Sequence, residues 1–316
     1  MSKVDAFFLA INTEIGKKFI FFGTISMKEY FKYLTTSEED INWGLYLKVA
    51  GSARIKPNTL YPPKEHPSEY YFEWKNGRIL HEFQLNYITE GTGVFENSYG
   101  KFQIKPGSLI IIFPNEWHRY RPLKKTGWVE NYVGFNGHIA DQLLKHPTFS
   151  SRQPVIQCGI REDIIDSHLK IIDLVEKERP GYQQIASGMV VKLLGYIVSV
   201  EKRKGFSGKQ ISKVIEEVRF LMRQNADQEF DLEELARKHN VGYSYFRKMF
   251  KKYTGVSPGQ YHLQLRIIRA KELLISTDKS IKEISLELGF QTIHYFSLIF
   301  KKKVGLTPTE FRKRTN

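Results

Sequence analysis

Two sets of side chains, fifty positions apart, have the types and spacing to grip an anionic polymer. Ser244, Lys248 and Lys251 fall on one face of any helix drawn through them, with Arg247 and Lys252 beside them and Tyr243 at its start. In the second set, His294, Leu298 and Lys301 repeat the spacing, flanked by Ser297 and Lys302 and preceded by Gln291 and Thr292. At 3.6 residues per turn both faces point away from the apolar pairs Phe246/Phe250 and Phe296/Phe300. Lysines suit phosphates. Ser, Tyr, Arg, Gln and His near a helix start can meet base edges in a major groove. A solvated helix face would also carry lysines, but the repetition of the whole pattern argues for DNA.

The elements that must hold these residues are written twice. Phe246, Phe250, Gly255, Pro258 and Tyr261 recur at a shift of fifty as Phe296, Phe300, Gly305, Pro308 and Phe311. Leu232, Leu235 and Ala236 recur at a shift of forty-nine as Ile281, Ile284 and Ser285, and the one-residue slip falls between Val241 and Ser244. Each copy opens on a capping-box pattern, Asp231 with Glu234 and Ser280 with Glu283. A short apolar stripe follows, then a break at 239–242 or 288–290, then the helix bearing the polar face. Short helix, turn and second helix make a helix-turn-helix unit. Ser257-Pro258 starts a longer helix through residue 276, whose Tyr261, Leu265, Ile268 and Leu273 can brace the two units. At roughly 1.5 Å per residue it spans nearly 30 Å, close to the roughly 34 Å between successive major-groove faces.

The runs ELARKHNVGYSYFRKMFKKYTGVSPGQY and EISLELGFQTIHYFSLIFKKKVGLTPTEFR, with LRIIRAKELLIST between them, resemble the AraC/XylS family of bacterial transcription regulators. The resemblance covers about a third of the chain. It implies a DNA-binding domain of two helix-turn-helix units joined by a long helix. Ser285 replaces the alanine usual at its position, where its hydroxyl can bond back to a carbonyl one turn earlier.

Charge agrees with an anionic partner. Of the formal net +14, +9 lies from Ser207 onward, where 21 Lys+Arg face 12 Asp+Glu. The single Cys158 excludes an internal disulfide and fits a reducing cytoplasm. No run of about 18 apolar residues is evident, so no membrane partner is expected.

From Trp43 to about Asn136 the text changes to strands rich in Tyr, Phe, Val and Ile: GLYLKVAGSARI, EYYFEW, HEFQLNYITEG, GVFENSYGKFQI, SLIIIF and WVENYVGF. Asn76-Gly77 between two of them is a hairpin signal. Many short strands at this spacing predict a closed or sandwiched all-β domain. The run KPGSLIIIFPNEWH, ending at His118, resembles the second half of a cupin barrel, the sensor of the sugar-responsive branch of the same family. That resemblance implies a small-molecule effector, a sugar. Aromatic faces with a few charged groups suit sugar hydroxyls, so Trp74, Arg78, Glu82, Trp117, His118, Tyr120, Glu130 and Tyr132 are candidate ligand residues. Resemblance to arabinose-type sensors singles out Tyr120 and Glu130, with Tyr132 on the same face, although Glu130 stands where that sensor has histidine. Each candidate could instead pack or cap the barrel. Metal-binding cupins use closely spaced histidines; here His66 and His81 stand alone, so neither a metal nor another cofactor is expected.

Residues 160–204 return to helical text, and their broad stripe of Ile185, Met189, Val190, Leu193, Leu194, Ile197 and Val198 suits a core or a homodimer contact. The basic tract EKRKGFSGKQ leads into the expected linker, residues 205–212. Residues 1–42 are assigned to an N-terminal arm, of which 1–26 is read as an upstream extension because family members begin with text like that starting at Met27.

The expected fold is α+β and multidomain: a cupin-like β-barrel (43–159), a helical pair (160–204), a linker and an all-α domain with two helix-turn-helix units (213–316). The expected function is a cytoplasmic, ligand-responsive DNA-binding regulator, an activator meeting RNA polymerase, and not an enzyme. The alternatives are a DNA-binding protein whose barrel only dimerises, and a metal-dependent cupin enzyme with a DNA-binding tail.

Overall fold

The computed structural model describes residues 30–62, 71–206, 210–228 and 230–315. The expected extension at 1–26 and His66 lie outside them. The chain divides into two compact units, Met1–Glu201 and Lys202–Asn316.

In the first unit the elements run β1 (Tyr30–Tyr33), α1 (Glu38–Trp43), β2 (Tyr46–Ile55), β3 (Arg78–Ile79), β4 (Phe83–Gly91), β5 (Gly93–Asn97), β6 (Gly100–Ile104), β7 (Ser108–Ile112), β8 (Trp117–Pro122), β9 (Trp128–Asn136), α2 (His138–Leu144), β10 (Val155–Gln157), α3 (Glu162–Lys177) and α4 (Tyr182–Lys204). They form a six-stranded sheet, β1-β2-β9-β4-β7-β10, and a four-stranded sheet, β3-β8-β5-β6. The strands thus make two sheets and do not close into the expected barrel. Alternation on β4 and β9 sets what lies between the sheets: Ile88, Ile110, Ile112, Phe95, Tyr120 and Trp128 share one core. The other face of the large sheet, with Leu47, Leu85, Tyr87 and Val133, packs on α3 and α4 through Ile164, Ile171, Val190, Leu193 and Ile197.

Three local readings change. The described part of EYYFEW forms no strand: residues 71–73 are irregular, and the Asn76 and Gly77 amides both close a turn onto Glu73 O. Asn76-Gly77 therefore enters β3 without making a hairpin. The segment assigned to an arm supplies β1, whose Tyr30–Tyr33 pair antiparallel with residues 49–52 of β2, and α1, capped by a Ser37–Asp40 box. A four-residue strand shows too little alternation to be seen in sequence. Helix α4 is also more apolar than expected. An 18-residue window in it has mean hydropathy 1.2, of which 44% is buried inside the protein.

The register of β2 slips between Leu47 and Val49. Gln183 of α4 covers that irregularity: its Oε1 accepts from Leu47 N at 2.9 Å and its Nε2 donates to Leu47 O at 3.2 Å. A buried backbone pair left open by a bulge needs such a partner.

The second unit is all helical: α5 (Gln210–Gln224), α6 (Leu232–Lys238), α7 (Tyr243–Thr254), α8 (Pro258–Ser276), α9 (Ile281–Glu287), α10 (Ile293–Val304) and α11 (Pro308–Thr315). Helix α5 begins inside the tract read as a linker, and Phe206 is buried against Tyr253 at 5.0 Å between ring centroids. Two cores result. Phe246, Met249 and Phe250 pack with α5, and Phe296 and Phe300 pack with Ile267, Ala270, Leu273 and Leu274. Tyr261 and Leu265 of α8 reach the first core, so α8 braces both units as expected. Ile268, expected among the bracing residues, points to solvent at 54% exposure.

The two copies share their turn. Val241 N donates to Ala236 O and Phe290 N to Ser285 O, both at 3.0 Å. The N-caps that follow are Gly242 and Thr292, so Gln291 is the extra residue of the second copy. Both long helices end on a left-handed glycine, Gly255 at φ 88° and Gly305 at φ 86°, a conformation that other residues adopt only at a cost. Of the two expected capping boxes, Ser280–Glu283 forms in full. Asp231 caps α6 through Glu233 N and Glu234 N, but the Glu234 carboxylate turns to Lys238 instead. Ser285 is fully buried and its hydroxyl has no hydrogen-bond partner among the described residues, so the expected bond back to a carbonyl is not made.

Candidate functional site

Between the two sheets lies a recess of about 380 Å³, part of it continuous with solvent. Its floor and one wall come from the large sheet: Tyr33, Val49, Gln84, Glu130 and Tyr132. Arg78 and Tyr120 face them from the small sheet, and Tyr61, Pro62 and Phe72 come from the connection between β2 and β3. The ring of Tyr132 has room because Gly51 sits opposite it in the ladder. A Cβ at Gly51 would stand 2.6 Å from the Tyr132 hydroxyl.

Arg78 is held from two sides. Its Nη2 donates to Tyr120 Oη at 2.7 Å and its Nε to His118 Nε2 at 3.3 Å. Its guanidinium lies 5.0 Å from the Phe72 ring centroid and 5.3 Å from that of Tyr120. For His118 to accept from Arg78, the ring proton must sit on Nδ1, which faces Glu116 O at 3.0 Å. Burial, and then the adjacent Arg78 charge, hold His118 down to about 3, so it stays neutral and keeps this tautomer. His118 is therefore a support behind the recess and does not line it.

Glu130 is 5% exposed. Burial pushes its carboxyl up to about 7, against the opposing effects of the Tyr61 hydrogen bond and the Arg78 charge. Near neutral pH it can thus either accept from or donate to a ligand hydroxyl. Burial likewise raises Tyr33 to about 12, so that this hydroxyl remains a donor.

The structure brings together Arg78, Tyr120, Glu130 and Tyr132 of the sequence candidates, with His118 behind them. Glu82 is buried one step away, accepting from Gln84 Nε2 at 2.8 Å. Trp74 and Trp117 are elsewhere. They flank Arg119 at 4.6 and 5.5 Å on the face of the small sheet turned away from the recess, and Trp117 Nε1 donates to Asn76 O. Residues 117 and 118 are neighbours on β8 and cannot face the same side. Sequence reasoning missed Tyr33, Tyr61, Phe72 and Gln84. Gln84 had a signal, since alternation along β4 places it on the Ile88 side of the strand.

In the second unit the outward faces of α7 and α10 are open. Ser244, Arg247, Lys248, Lys251 and Lys252 are exposed, as are Gln291, Thr292, His294, Lys301 and Lys302. None of these lysines or Arg247 forms a salt bridge among the described residues, which leaves the cations available to phosphate. Tyr243 and Ser297 are half-buried, Tyr243 against the first core. Thr292 spends its hydroxyl as N-cap, accepting from Tyr295 N at 3.1 Å. Tyr245 and Tyr295, at 49% and 48% exposure, share these faces and were not singled out from sequence.

With this geometry in hand, the comparisons with known proteins agree on both units. A family described as AraC-like ligand binding domain matches residues 55–190, and one described as a helix-turn-helix domain matches residues 235–314. The chain is similar to the HTH-type transcriptional activator RhaR of Mannheimia succiniciproducens, at 25% identity covering 74% of this chain and 86% of that protein. It is similar to the lactose operon transcription activator of Staphylococcus xylosus, at 24% identity covering 75% and 86%. Among solved structures it is similar to an AraC-type DNA-binding domain protein from Chromobacterium violaceum, at 32% identity and a TM-score of 0.31, covering 33% of this chain and 93% of that one.

Proposed function

Because the chain belongs to the AraC family of transcription regulators, with its ligand-binding domain ahead of its helix-turn-helix domain, we propose that it activates carbohydrate-related genes in response to a sugar held between its two sheets. The single observation that carries the sugar reading is the recess lining. Tyr33, Tyr61, Tyr120 and Tyr132 hydroxyls, the Gln84 amide, Arg78 and Glu130 converge on one space bordered by Phe72. A ligand presenting hydroxyls in fixed directions can join such a set, in which Tyr61 bonds Glu130 and Arg78 bonds Tyr120, whereas an apolar ligand would gain nothing from it. The lactose operon relative, by its name, regulates a sugar operon as an activator.

In this reading α7 and α10 enter the major groove of promoter DNA, and Lys251, Lys252, Lys301 and Lys302 meet phosphates. The exposed Ile185 and Val191 on α4, at 53% and 42%, favour a homodimer contact through that helix. RNA polymerase is the further partner of an activator. The protein acts in the cytoplasm and catalyses no reaction. Ligand shifts a pre-existing equilibrium by binding one state more tightly.

The test is a thermal-shift screen of the full chain against neutral, acidic and amino sugars, with divalent metals in parallel. A ligand at about a hundred times its Kd stabilises its domain by roughly 2.7 kcal/mol. One sugar giving such a shift, lost in Glu130→Ala, supports the reading; a shift with metal alone would overturn it.

A further inference from the structure

The two recognition helices share a plan but not a surface. Their buried faces match at the two phenylalanines, Phe246 with Phe296 and Phe250 with Phe300, all fully buried. Their ends match too, at Lys251 with Lys301. The middle of the outward face does not. Where α7 carries Arg247 and Lys248, α10 carries Ser297 and Leu298.

Leu298 lies two residues from each of Phe296 and Phe300, which turns it to the opposite side of the helix. It is 56% exposed. A lone exposed leucine on a protein surface needs no explanation. This one replaces the central cation of a DNA-facing pattern, one turn beyond His294 and one turn before Lys301, with Lys302 also one turn on. The surrounding charges bring the helix to a polyanion, and the residue then at the centre of contact is apolar. In a major groove the C5-methyl of thymine is the one apolar group that base edges offer.

Resting on the DNA-binding reading, we propose that Leu298 contacts a thymine methyl, so that the second helix-turn-helix specifies its subsite by apolar contact. The first helix-turn-helix holds its subsite through charge and hydrogen bonds from Ser244, Arg247 and Lys248. The chain thus reads two adjacent groove segments by different chemistry.

To test this, the full chain selects duplexes from a random-sequence pool, and the tightest binder is remade with each thymine replaced in turn by deoxyuridine. That change removes the methyl and keeps the base pair. Wild type should lose about fourfold in affinity at one thymine, the order expected for one methyl-sized group leaving apolar contact. Leu298→Ser, whose fold is checked by its unchanged melting profile, should bind the two duplexes equally. Indifference of wild type to every deoxyuridine, or a thymine effect that persists in Leu298→Ser, overturns the inference and leaves DNA binding standing. Failure of wild type to enrich any sequence overturns both.

Discussion

Tyr61 donates its hydroxyl to Glu130, its Oη lying 3.3 and 3.2 Å from the two carboxylate oxygens. The acceptor is buried and sits near half-protonation at neutral pH, so this contact links the recess to solution acidity. The folded state raises Glu130 above its ordinary 4.5 to about 7. The stability it contributes is therefore complete below about pH 4.5 and is lost as pH rises through 7. Measured against Glu130→Gln by urea unfolding, wild type should fall by about 3 kcal/mol between those limits, at 1.36 kcal/mol per pKa unit. Parallel pH profiles for the two proteins would sink the assignment.

Arg78 should matter to ligand more than to fold. It is fixed by Tyr120 and His118 before any ligand arrives, so a ligand gains a charged donor without ordering it. Arg78→Met should weaken the binding of whichever sugar stabilises wild type by tenfold or more. Isothermal titration reads this directly, and an unchanged Kd would remove Arg78 from the site.

His168 should make the first unit acid-sensitive. It stacks on Tyr87 with ring centroids 6.1 Å apart, and burial holds it down to about 4. The unfolded chain then binds a proton that the folded chain refuses, so stability is present above pH 6.5 and drains away toward pH 4. His118, held at about 3, acts in the same direction over a wider window. In His168→Gln the slope of stability against pH between 6.5 and 4 should be shallower than in wild type, whatever its absolute stability.

Phe250 and Phe300 should carry equivalent loads in separate cores. Each is fully buried and edge-on to a partner ring, Phe246 at 5.5 Å and Phe296 at 5.7 Å. Either change to alanine should cost about 3–5 kcal/mol. Because their cores share no buried residue, the double variant should lose close to the sum. A double variant no worse than one single would mean that the two cores unfold separately, each change being felt only in its own transition.

Lys248 and Lys301 should differ in salt readout from any base-reading residue. Lys248→Ala or Lys301→Ala is expected to lower the slope of log affinity against log salt by about 1, weakening all duplexes alike. A change confined to one duplex sequence would instead make that lysine a base reader.

The helical third was legible because its period repeats. Two copies of Phe-x3-Phe, glycine and proline confirm each other, and the turn, caps and bracing helix followed at nearly the right residues. The sheets were only partly legible. Long strands such as β4 and β9 alternate plainly, but β1, β3 and β10 are four residues or fewer and leave no period to read. The recess suffered most. Tyr33, Tyr61 and Phe72 come from such a strand and from irregular backbone, where no period predicts facing. Trp74 and Trp117 were drawn in by residue type alone, and the pleat of β8 turned Trp117 outward while bringing His118 and Tyr120 in.

Gln291 shows where this architecture tolerates a change of length. One residue added within α10 would rotate everything beyond it by about 100°, carrying Lys301 off the outward face and Phe300 out of its core. Placed between Phe290, which still bonds to Ser285, and the Thr292 cap, the same residue disturbs neither helix. That junction is a natural splice point. Recognition helices with different reading faces could be exchanged there, each arriving with its own cap, without recutting the core beneath.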